Sequence, residues 1–534
     1  MTSRNLFKHL FFSYIMDDDK KKLDSSLKLL AKSFFVVLIG VVLSKVLTYL
    51  FRIVVARRFG PEIYGLFSLA SMIVLLFYSI SSLGLPYGII RNASIYRARD
   101  EIDKIRCIVK SSINISLFLS ISAGIILFLT ADFISLNIFH NSSLIVYLKF
   151  FSVIIPFYVL YSVFIGLMQA YEEIGWYSFI DNILQNALKL VILLILLAIG
   201  LKTSSIIVSY TFSIFFIFLA AFFVCKYKLP QVFKKTNMDK SEKEKIVRNL
   251  ISYSWPLTLF ALISLFFYWT DFFIIGYFKD ATTVGIYNAA VPIASFLIFV
   301  PTLLLQLFFP LITKEFGKEN FKVIRELSKQ VTKWILILNL PLFAIMILFP
   351  GAFLNILFGP EYIVAKNSLI FLTIGSFFSS IFYLSNNLVS IIGKTKLILA
   401  NILVVSVLNF ILGVILIQKY GINGVAFATM LCNIILTLIL SFEVKYYTSL
   451  IPLKRKMFGV LFSAAISTIA LIYIRQFFLI NLFTILIQLV FFMLIYTLMI
   501  FITKSLDGND LMILEMIKDK IRFKKLEKIG FQDS

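Results

Sequence analysis

Three polar residues lie on one face of the first long apolar stretch of the chain. Lys45, Tyr49 and Arg52 follow one another at i, i+4 and i+7, inside a run long enough to cross a bilayer as a helix. A cation inside such a helix is costly in hydrocarbon, so it normally faces a water-filled cavity or a charged partner. The spacing therefore predicts a cavity wall that presents positive charge to an anionic ligand.

A second polar face follows in the fifth apolar stretch. Asp181, Gln185 and Lys189 are spaced at i, i+4 and i+8. Asn182 and Asn186 add a stripe that overlaps the first at Lys189. Amide side chains in membrane helices also hold neighbouring helices together by hydrogen bonds, so a helix contact and a cavity lining are both open. Lys189 favours the cavity, because a cation at this depth needs water or a counter-charge.

The composition sets the protein class. The chain has 534 residues, of which 60% are hydrophobic and 15% charged, and its mean hydropathy is +0.95. These values exclude a soluble globular protein, and the continuous apolar runs exclude the strict alternation of a membrane β-barrel. We expect an all-α polytopic membrane protein with about 14 transmembrane helices. The three cysteines have no CxxC spacing, so we expect ordinary buried side chains there.

Hydropathy predicts the individual spans. Each is a predominantly apolar run bounded by polar, glycine or proline residues. The predicted spans are about 34–56, 62–83, 112–130, 145–168, 177–199, 204–224, 250–275, 284–309, 334–350, 368–390, 397–417, 423–443, 457–474 and 482–502.

The basic residues predict the orientation in the membrane. With the N-terminus inside, the inner segments hold 40 of the 51 Lys and Arg residues, the outer loops hold 7, and four lie within spans. This bias places both termini in the cytoplasm. It also accounts for the net charge of +23 without a nucleic-acid partner.

The two halves of the chain resemble each other. Ser264, Tyr268 and Asp271 fall over Lys45, Tyr49 and Arg52 at an offset of 219. Other pairs keep an offset of 218 to 221, namely Gly65 with Gly285, Ala70 with Ala290, Gly175 with Gly393, and Gly200 with Gly421. Such internal repeats are typical of transporters, with the substrate site at the interface between repeats.

The repeat predicts the domain organisation. Two pseudo-symmetric six-helix lobes are joined by a charged linker and followed by two further helices. The segments are a cytoplasmic arm (1–33), the N-lobe (34–225), the cytoplasmic linker (226–248), the C-lobe (249–446), the last two spans (447–502) and a basic amphipathic cytoplasmic tail (503–534).

Further candidates for the cavity follow from the same reasoning. Tyr268 and Asp271 are predicted to lie opposite the first span, with Asp271 facing Arg52 across the interface or both facing a central cavity. Solvation of Asp271 at the outer end of its helix is the alternative. Arg91 lies in a basic amphipathic loop at the inner end of the second span, where contact with anionic headgroups is the other interpretation.

Several segments carry a family resemblance. They are ARRFGPEIYGLFSLAS at 56–71, GLPYGIIR and RARDEIDKIR within 84–106, and YGINGVAFAT at 420–429. Together with the 14 predicted spans, they resemble the polysaccharide transporter family of O-antigen and exopolysaccharide flippases. This family is related to the lipid II flippase and to the MATE drug exporters.

The resemblance implies a fold and a function. The expected fold is a two-lobe, V-shaped transporter with alternating access. The expected substrate is an oligosaccharide linked to a polyprenyl phosphate or pyrophosphate, moved from the inner to the outer leaflet. Lys45 and Arg52 match the cationic residues that meet the pyrophosphate in those flippases. The chain has no Lys or Arg between residues 280 and 313, where the lipid II flippase carries arginines.

Two other functions are open. A cation-coupled drug or solute exporter on the same fold would use Asp181 or Asp271 for coupling. A membrane enzyme would need converging acids, bases or metal ligands. The outer loops are short, and His9 and His140 are the only histidines. We expect no enzyme, no cofactor and no metal. No P-loop is present, so we expect transport that is not driven directly by ATP, and coupling to a Na⁺ or H⁺ gradient is open.

We also predict the oligomeric state, the location and the partners of the protein. We expect a monomer in the cell membrane that contacts anionic lipids and lipid-linked oligosaccharide. Polysaccharide polymerase or ligase machinery is a further expected partner.

Overall fold

A computed structural model describes residues 20–235, 238–448, 454–477, 482–506 and 510, with side chains from residue 39 onward. Within these ranges the chain is helical and no strand occurs. Most of the predicted cytoplasmic arm (1–19) and most of the predicted basic tail (511–534) lie outside the described residues.

The first half of the chain forms eight α-helices, two short π-helical turns and one 3₁₀ turn. The helices are α1 (Lys20–Ser82), α2 (Leu85–Ala98), α3 (Ile102–Phe133), α4 (Ser143–Ser152), α5 (Ile154–Ala170), α6 (Ile174–Ser178), α7 (Gln185–Ala198) and α8 (Ser204–Lys228). The turns are π-helical at Ile134–Ile138 and Phe179–Leu184 and 3₁₀-helical at Pro230–Phe233.

The second half continues the helical pattern. Its helices are α9 (Lys240–Phe278), α10 (Ala281–Gly317), α11 (Phe321–Leu348), α12 (Pro350–Leu357), α13 (Lys366–Ile381), α14 (Tyr383–Ile391), α15 (Thr395–Tyr420), α16 (Ile422–Thr448), α17 (Met457–Arg475) and α18 (Leu482–Ile502). A 3₁₀ turn, Pro360–Ala365, connects α12 to α13.

Helix α1 folds back on itself at Gly60. Gly60 has φ 78° and ψ 177°, a conformation that a side chain would strain, and Pro61 follows it. The rings of Phe51 and Phe67 lie 5.8 Å apart. Sixteen residues of straight helix would separate them by about 24 Å. Residues 20–59 and 61–82 are therefore two antiparallel segments, named here the first limb and the second limb.

The number of spans is close to the prediction. In the described ranges, eleven helices are long and apolar enough to cross a membrane, or twelve if the pair α4 and α5, bent by 43°, forms one span. Ile39–Ala98 is one of the eleven although it contains both limbs, and Ile487–Ile502 is a shorter apolar helix. The structure confirms a polytopic helical membrane protein. The number fourteen stays a prediction.

Each half of the chain packs mainly on itself. In the first half, α5 lies against α2, α3 and α8; in the second, α16 lies against α13 and α15. The most extensive contact between the halves joins α1 to α10. This arrangement agrees with two lobes that meet along one seam, although the domain boundaries stay predictions.

The last two helices attach to the second half. Arg475 of α17 donates to the backbone oxygen of Leu348 at 2.7 Å, and the Tyr496 hydroxyl of α18 donates to that of Ile337 at 3.1 Å. Both acceptors belong to α11. The two helices therefore extend the second bundle through α11.

Candidate functional site

Lys45 and Tyr49 lie at the seam between the lobes. They line a cavity of about 280 Å³ whose other walls are apolar, including Phe296 and Phe299 of α10. The Tyr49 hydroxyl donates to the backbone oxygen of Pro292 at 2.5 Å, which ties the first limb to α10. Lys45 is exposed, so its ammonium can meet a ligand that enters this cavity.

Arg52 lies further along the same face and is half-buried. Its Nη1 is 3.5 Å from the Asn288 Oδ1, and the Asn288 Nδ2 donates to the Ser68 Oγ at 2.5 Å. Tyr64 and Tyr268 lie close enough to interact with the guanidinium. Because these partners are neutral, Arg52 keeps its positive charge without a fixed counter-ion.

Lys189 brings a third cation to this region from α7. Its Nζ lies 5.4 Å from the centre of the Tyr210 ring, a cation–π contact. The side chain is half-buried and lies within electrostatic range of Arg52 and Asp181. The predicted first-span and fifth-span cations therefore converge in one lobe.

The three cations share one electrostatic property. Within the described ranges, none of Lys45, Arg52 and Lys189 has a carboxylate oxygen within the 4.0 Å of an ion pair. Positive charge in a low-dielectric wall is expensive unless an anion or water compensates it. The arrangement can therefore bind a mobile anionic group.

The polar residues of the fifth span divide between two neighbours. The Asp181 Oδ1 accepts a hydrogen bond of 2.6 Å from the Tyr161 hydroxyl of α5. The Asn186 Nδ2 instead donates to the Ser44 Oγ of the first limb at 3.0 Å and to the backbone oxygen of Asn182 at 3.0 Å. The polar side chains of this span therefore contact two different helices, and a π-turn over Phe179–Leu184 lies among them. A binding role for Asn186 stays a prediction.

The prediction that Asp271 faces Arg52 is wrong. It is only 6% exposed and accepts hydrogen bonds from the Tyr287 hydroxyl, from the Thr429 Oγ1 at 2.7 Å and from the Asn409 Nδ2 at 3.4 Å. These partners all belong to helices of the second half. Two consecutive residues of α10 lie between the aspartate and the arginine. Tyr287 bonds to Asp271, and Asn288 bonds to Arg52.

The remaining candidates occupy different places. Tyr268 is 54% exposed and lies within electrostatic range of Tyr49 and Arg52, so it joins the cationic site. Arg91 lies apart from that site, with its guanidinium carbon 4.4 Å from the centre of the Tyr253 ring of α9. Arg91 therefore contributes to a contact between the lobes.

Sequence reasoning missed Ser68, Asn288 and Arg57. Ser68 and Asn288 occupy equivalent repeat positions at an offset of 220, which was the available signal. The Arg57 Nε donates to the backbone oxygen of Leu357 at 2.9 Å, and its Nη2 donates to Ile356 and, at 3.3 Å, to Asn355. Nothing in the sequence connects Arg57 to a helix 300 residues away.

Comparison with known proteins identifies the family of the chain. The family model described as "Polysaccharide biosynthesis protein" matches residues 30–316, and the MatE model matches residues 256–415. The chain is 24% identical over 385 residues to a putative O-antigen transporter of Shigella flexneri, covering 70% of this chain and 87% of that protein.

An archaeal relative has a more specific description. The chain is 26% identical over 215 residues to the probable low-salt glycan biosynthesis flippase Agl15 of Haloferax volcanii, covering 40% of this chain. The match spans 45% of Agl15, so slightly less than half of that relative's length is compared.

The fold is similar to that of a solved lipid transporter. The structure of the lipid II flippase MurJ in an inward closed conformation aligns with a TM-score of 0.67, covering 87% of this chain and 98% of that one at 17% identity. At this identity the likeness concerns the fold alone. Because the first family model covers more than half of the residues, this chain belongs to the polysaccharide biosynthesis protein family, on the fold of the MOP-superfamily transporters.

Proposed function

We propose that the protein is a flippase for lipid-linked oligosaccharide. The substrate is an oligosaccharide on a polyprenyl phosphate or pyrophosphate, moved from the inner to the outer leaflet by alternating access for the synthesis of a cell-surface glycan. The names of the Shigella and Haloferax relatives support this proposal.

The observation that carries the proposal is the set of cations without fixed counter-ions. Lys45 and Arg52 lie at the contact between the lobes, and Lys189 lies within electrostatic range of Arg52, all three without an ion pair. Guanidinium and ammonium groups bind phosphate oxygens through short, charge-assisted hydrogen bonds. A pyrophosphate therefore supplies the negative charge that the site lacks.

The cavity beside Lys45 fits the lipid part of the substrate. Its walls combine Lys45 with apolar residues such as Val42, Val46 and Phe299. A prenyl chain can stay against such apolar walls while the phosphate reaches the cations. This arrangement avoids transferring the hydrocarbon tail through water.

The lobes touch at both ends of the seam. At one end, Gly65 approaches Gly285. At the other end, Arg91 covers Tyr253, and a Cβ on Gly88 would lie 2.1 Å from the Ser254 Oγ. The distribution of basic residues assigns the first end to the outside and the second to the cytoplasm. Opening one contact while the other stays closed would move the site between leaflets.

Energy coupling is proposed at the buried carboxylates. Asp271 accepts from two hydroxyls and an amide nitrogen on three other helices, and Asp181 lies beside a tyrosine hydroxyl. Oxygen-rich surroundings suit Na⁺, and a buried carboxylate suits H⁺. We propose one of these ions as the coupling ion, with no other cofactor.

The cellular setting follows from the same proposal. The chain is a multi-pass membrane protein. We place it in the cell membrane as a monomer with both termini in the cytoplasm. Its basic inner loops contact anionic lipids, and polysaccharide polymerase or ligase machinery receives its product.

A cation-coupled exporter is the second candidate. The match of residues 256–415 to the MatE model favours it, since that match includes Asp271. An exporter of cationic drugs would need acidic groups at the seam, whereas cations line the seam here.

Transport in proteoliposomes distinguishes the two functions. Full-length protein would be reconstituted and supplied with a fluorescent prenyl-pyrophosphate oligosaccharide or with a cationic dye, under an imposed Na⁺ or H⁺ gradient. We expect the oligosaccharide lipid to change leaflet and the dye to stay. Movement of the dye alone would replace the flippase with the exporter.

A further inference from the structure

Three tyrosines that take no part in the proposed phosphate site form a ladder inside the N-lobe. The ring of Tyr78, on the second limb, stacks on that of Tyr158, on α5, with centres 4.4 Å apart and planes inclined by 23°. Tyr158 and Tyr161 follow with centres 6.2 Å apart and an angle of 24°. The three nearly parallel rings are named here the tyrosine ladder.

A polar side chain lies beside each hydroxyl of the tyrosine ladder. The Tyr161 hydroxyl donates to the Asp181 Oδ1 at 2.6 Å. The Tyr158 hydroxyl lies beside the side chain of Gln185, and that of Tyr78 lies beside Ser162. A hydrogen bond therefore fixes the Tyr161 ring, and ring stacking orients the other two.

Asp181 belongs to the π-turn Phe179–Leu184, and Gln185 follows it directly. A π-turn costs hydrogen-bond quality within a helix and occurs often at functional sites. Here the wider turn brings the carboxylate of Asp181 and the amide of Gln185 to the same side as the tyrosine ladder. The result is a wall with aromatic faces and hydrogen-bonding groups side by side.

Part of the tyrosine ladder is less enclosed than the aromatic core of the lobe, although Tyr161 is only 3% exposed. Tyr78, Tyr158, Asp181 and Gln185 are half-buried. By contrast, Phe151 is 0% exposed. A partly accessible cluster of tyrosines, with a carboxylate and an amide beside it, therefore lies within a lobe made of apolar helices.

The tyrosine ladder also adjoins the cations. Asp181 lies within electrostatic range of Lys189, which lies within range of Arg52. A ligand with its phosphate at Arg52 and Lys189 would extend directly toward Asp181. The part of such a ligand next to the phosphate is its first sugar.

We propose that the tyrosine ladder, with Asp181 and Gln185, is the saccharide subsite of the transporter; this inference rests on the proposed flippase function. The face of an aromatic ring is electronegative and attracts the polarised C–H groups on the face of a pyranose. Amide and carboxylate groups beside the rings bind sugar hydroxyls and reject ligands that lack them. The subsite takes a neutral sugar, and the cations take the phosphate.

The test measures binding of two probes to the purified full-length chain. The probes are farnesyl pyrophosphate and farnesyl pyrophosphate carrying a disaccharide, taken from a panel of hexose and N-acetylhexosamine disaccharides. The ratio of the two dissociation constants isolates the contribution of the sugar. For the wild type we expect at least one disaccharide to bind more tightly than the probe without sugar.

Substitutions then test whether the tyrosine ladder supplies the contribution of the sugar to binding. Tyr78→Leu and Tyr158→Leu remove the aromatic faces, and we expect each to reduce the ratio by about fivefold to tenfold while the probe without sugar binds as before. Tyr78→Phe keeps the ring and should retain most of the preference. Tyr227→Leu, at an 83% exposed position on α8, is the matched control.

Each outcome has a definite meaning. If the leucine variants melt at the wild-type temperature and keep the wild-type ratio, the tyrosine ladder is a packing feature and the proposal is wrong. If the leucine variants do not fold, Tyr78→Phe and Gln185→Leu provide the test. An unchanged ratio of the two dissociation constants in Gln185→Leu would then count against the subsite. A wild type that binds neither probe would contradict the flippase function itself, and the subsite with it.

Discussion

Gly65 and Gly285, equivalent positions in the two halves of the chain, lie face to face. A Cβ on Gly65 would be 2.9 Å from the Gly285 nitrogen, and a Cβ on Gly285 would be 3.0 Å from the Gly65 nitrogen. Next to them, Ser68 bonds to Asn288, again at an offset of 220. An approximate two-fold axis between the lobes therefore passes through this contact.

The first prediction concerns this close contact. A Cβ on Gly65 would lie 1.7 Å from the backbone oxygen of Ala281, and one on Gly285 would lie 1.9 Å from that of Pro61. Gly65→Ala and Gly285→Ala should therefore prevent the second limb and α10 from closing, and shift the protein toward an open outer end. Transport should fall at least about tenfold, since one of the two alternating states is lost.

Spin labels at Ser142 and Val364, exposed on opposite lobes, would report the distance across the outer end by double electron–electron resonance. The native cysteines Cys107, Cys225 and Cys432 are buried, which favours selective labelling. Gly175→Ala is the matched control, because nothing lies within 4 Å of its added Cβ. A wild-type distance distribution in Gly65→Ala would show that this contact does not control the outer end.

The second prediction concerns Arg57. Its guanidinium donates to three carbonyls of the last turn of α12, which have no partner within the helix. Since Arg57 belongs to the N-lobe and α12 to the C-lobe, Arg57→Ala should favour outer opening by about 1 kcal/mol, the usual size for an exposed charged contact.

The same pair of spin labels measures this shift, with Arg58→Ala as the control at the exposed neighbouring arginine. We expect a larger population at long distance for Arg57→Ala and no change for Arg58→Ala. Equal shifts in both variants would indicate a general effect of charge and not of the helix cap.

Much of the fold could be predicted from the sequence because a bilayer imposes simple rules. Apolar runs, the distribution of basic residues and the repeat offset indicated the helical class and the two-fold relationship. The bends in the helices were harder to predict from the sequence. Pro156 lies near the 43° bend between α4 and α5, and no periodicity predicted the π-turn over Phe179–Leu184.

The candidate site was predicted in part. The cations of the first and fifth spans converge as the helical spacing indicated, because i, i+4 and i+7 place Lys45, Tyr49 and Arg52 on one face. The environment of Asp271 was missed. Sequence spacing gives the direction of a side chain around its own helix, but Tyr287 and Thr429 reach Asp271 through packing among helices far apart in the chain.

The third prediction concerns energy coupling at Asp271. Asp271→Asn keeps the shape of the side chain but removes its charge, and Thr429→Val removes the donor at 2.7 Å. Both should reduce the stimulation of transport by a Na⁺ or H⁺ gradient. Asp132→Asn, at a residue paired with Lys149 at 2.8 Å and 52% exposed, is the matched control.

The experiment compares initial transport rates with and without each gradient. Loss of stimulation in Asp271→Asn with normal stimulation in Asp132→Asn supports a coupling role. Full gradient dependence in both Asp271→Asn and Thr429→Val would remove Asp271 from the coupling mechanism and leave Asp181 as the candidate.

The fourth prediction concerns stability. Lys333 of α11 is 0% exposed and forms an ion pair with Asp510, which also accepts hydrogen bonds from Gln330 and, at 2.7 Å, from Trp334 Nε1. Removing one partner of a buried pair takes away an ionic contact that offsets the cost of burying the other charge. Asp510→Ala should therefore destabilise the protein by about 3–5 kcal/mol.

Thermal unfolding in detergent measures this effect. The double variant Lys333→Met/Asp510→Leu should recover most of the lost stability, because neither residue is then charged. A single variant that melts at the wild-type temperature would show that the pair contributes little to the folded state.

The most direct test of the account is flipping of a fluorescent prenyl-pyrophosphate oligosaccharide in proteoliposomes by wild type, Arg52→Ala, Lys45→Ala and the double variant. Loss of one buried, hydrogen-bonded charge partner for a phosphate costs about 2–5 kcal/mol. We therefore expect Arg52→Ala to reduce the rate at least about thirtyfold and the double variant to abolish flipping. Lys202→Ala, at an exposed lysine in the connection between α7 and α8, should have no effect. Wild-type flipping by the double variant would contradict the assignment of the cations as the phosphate site.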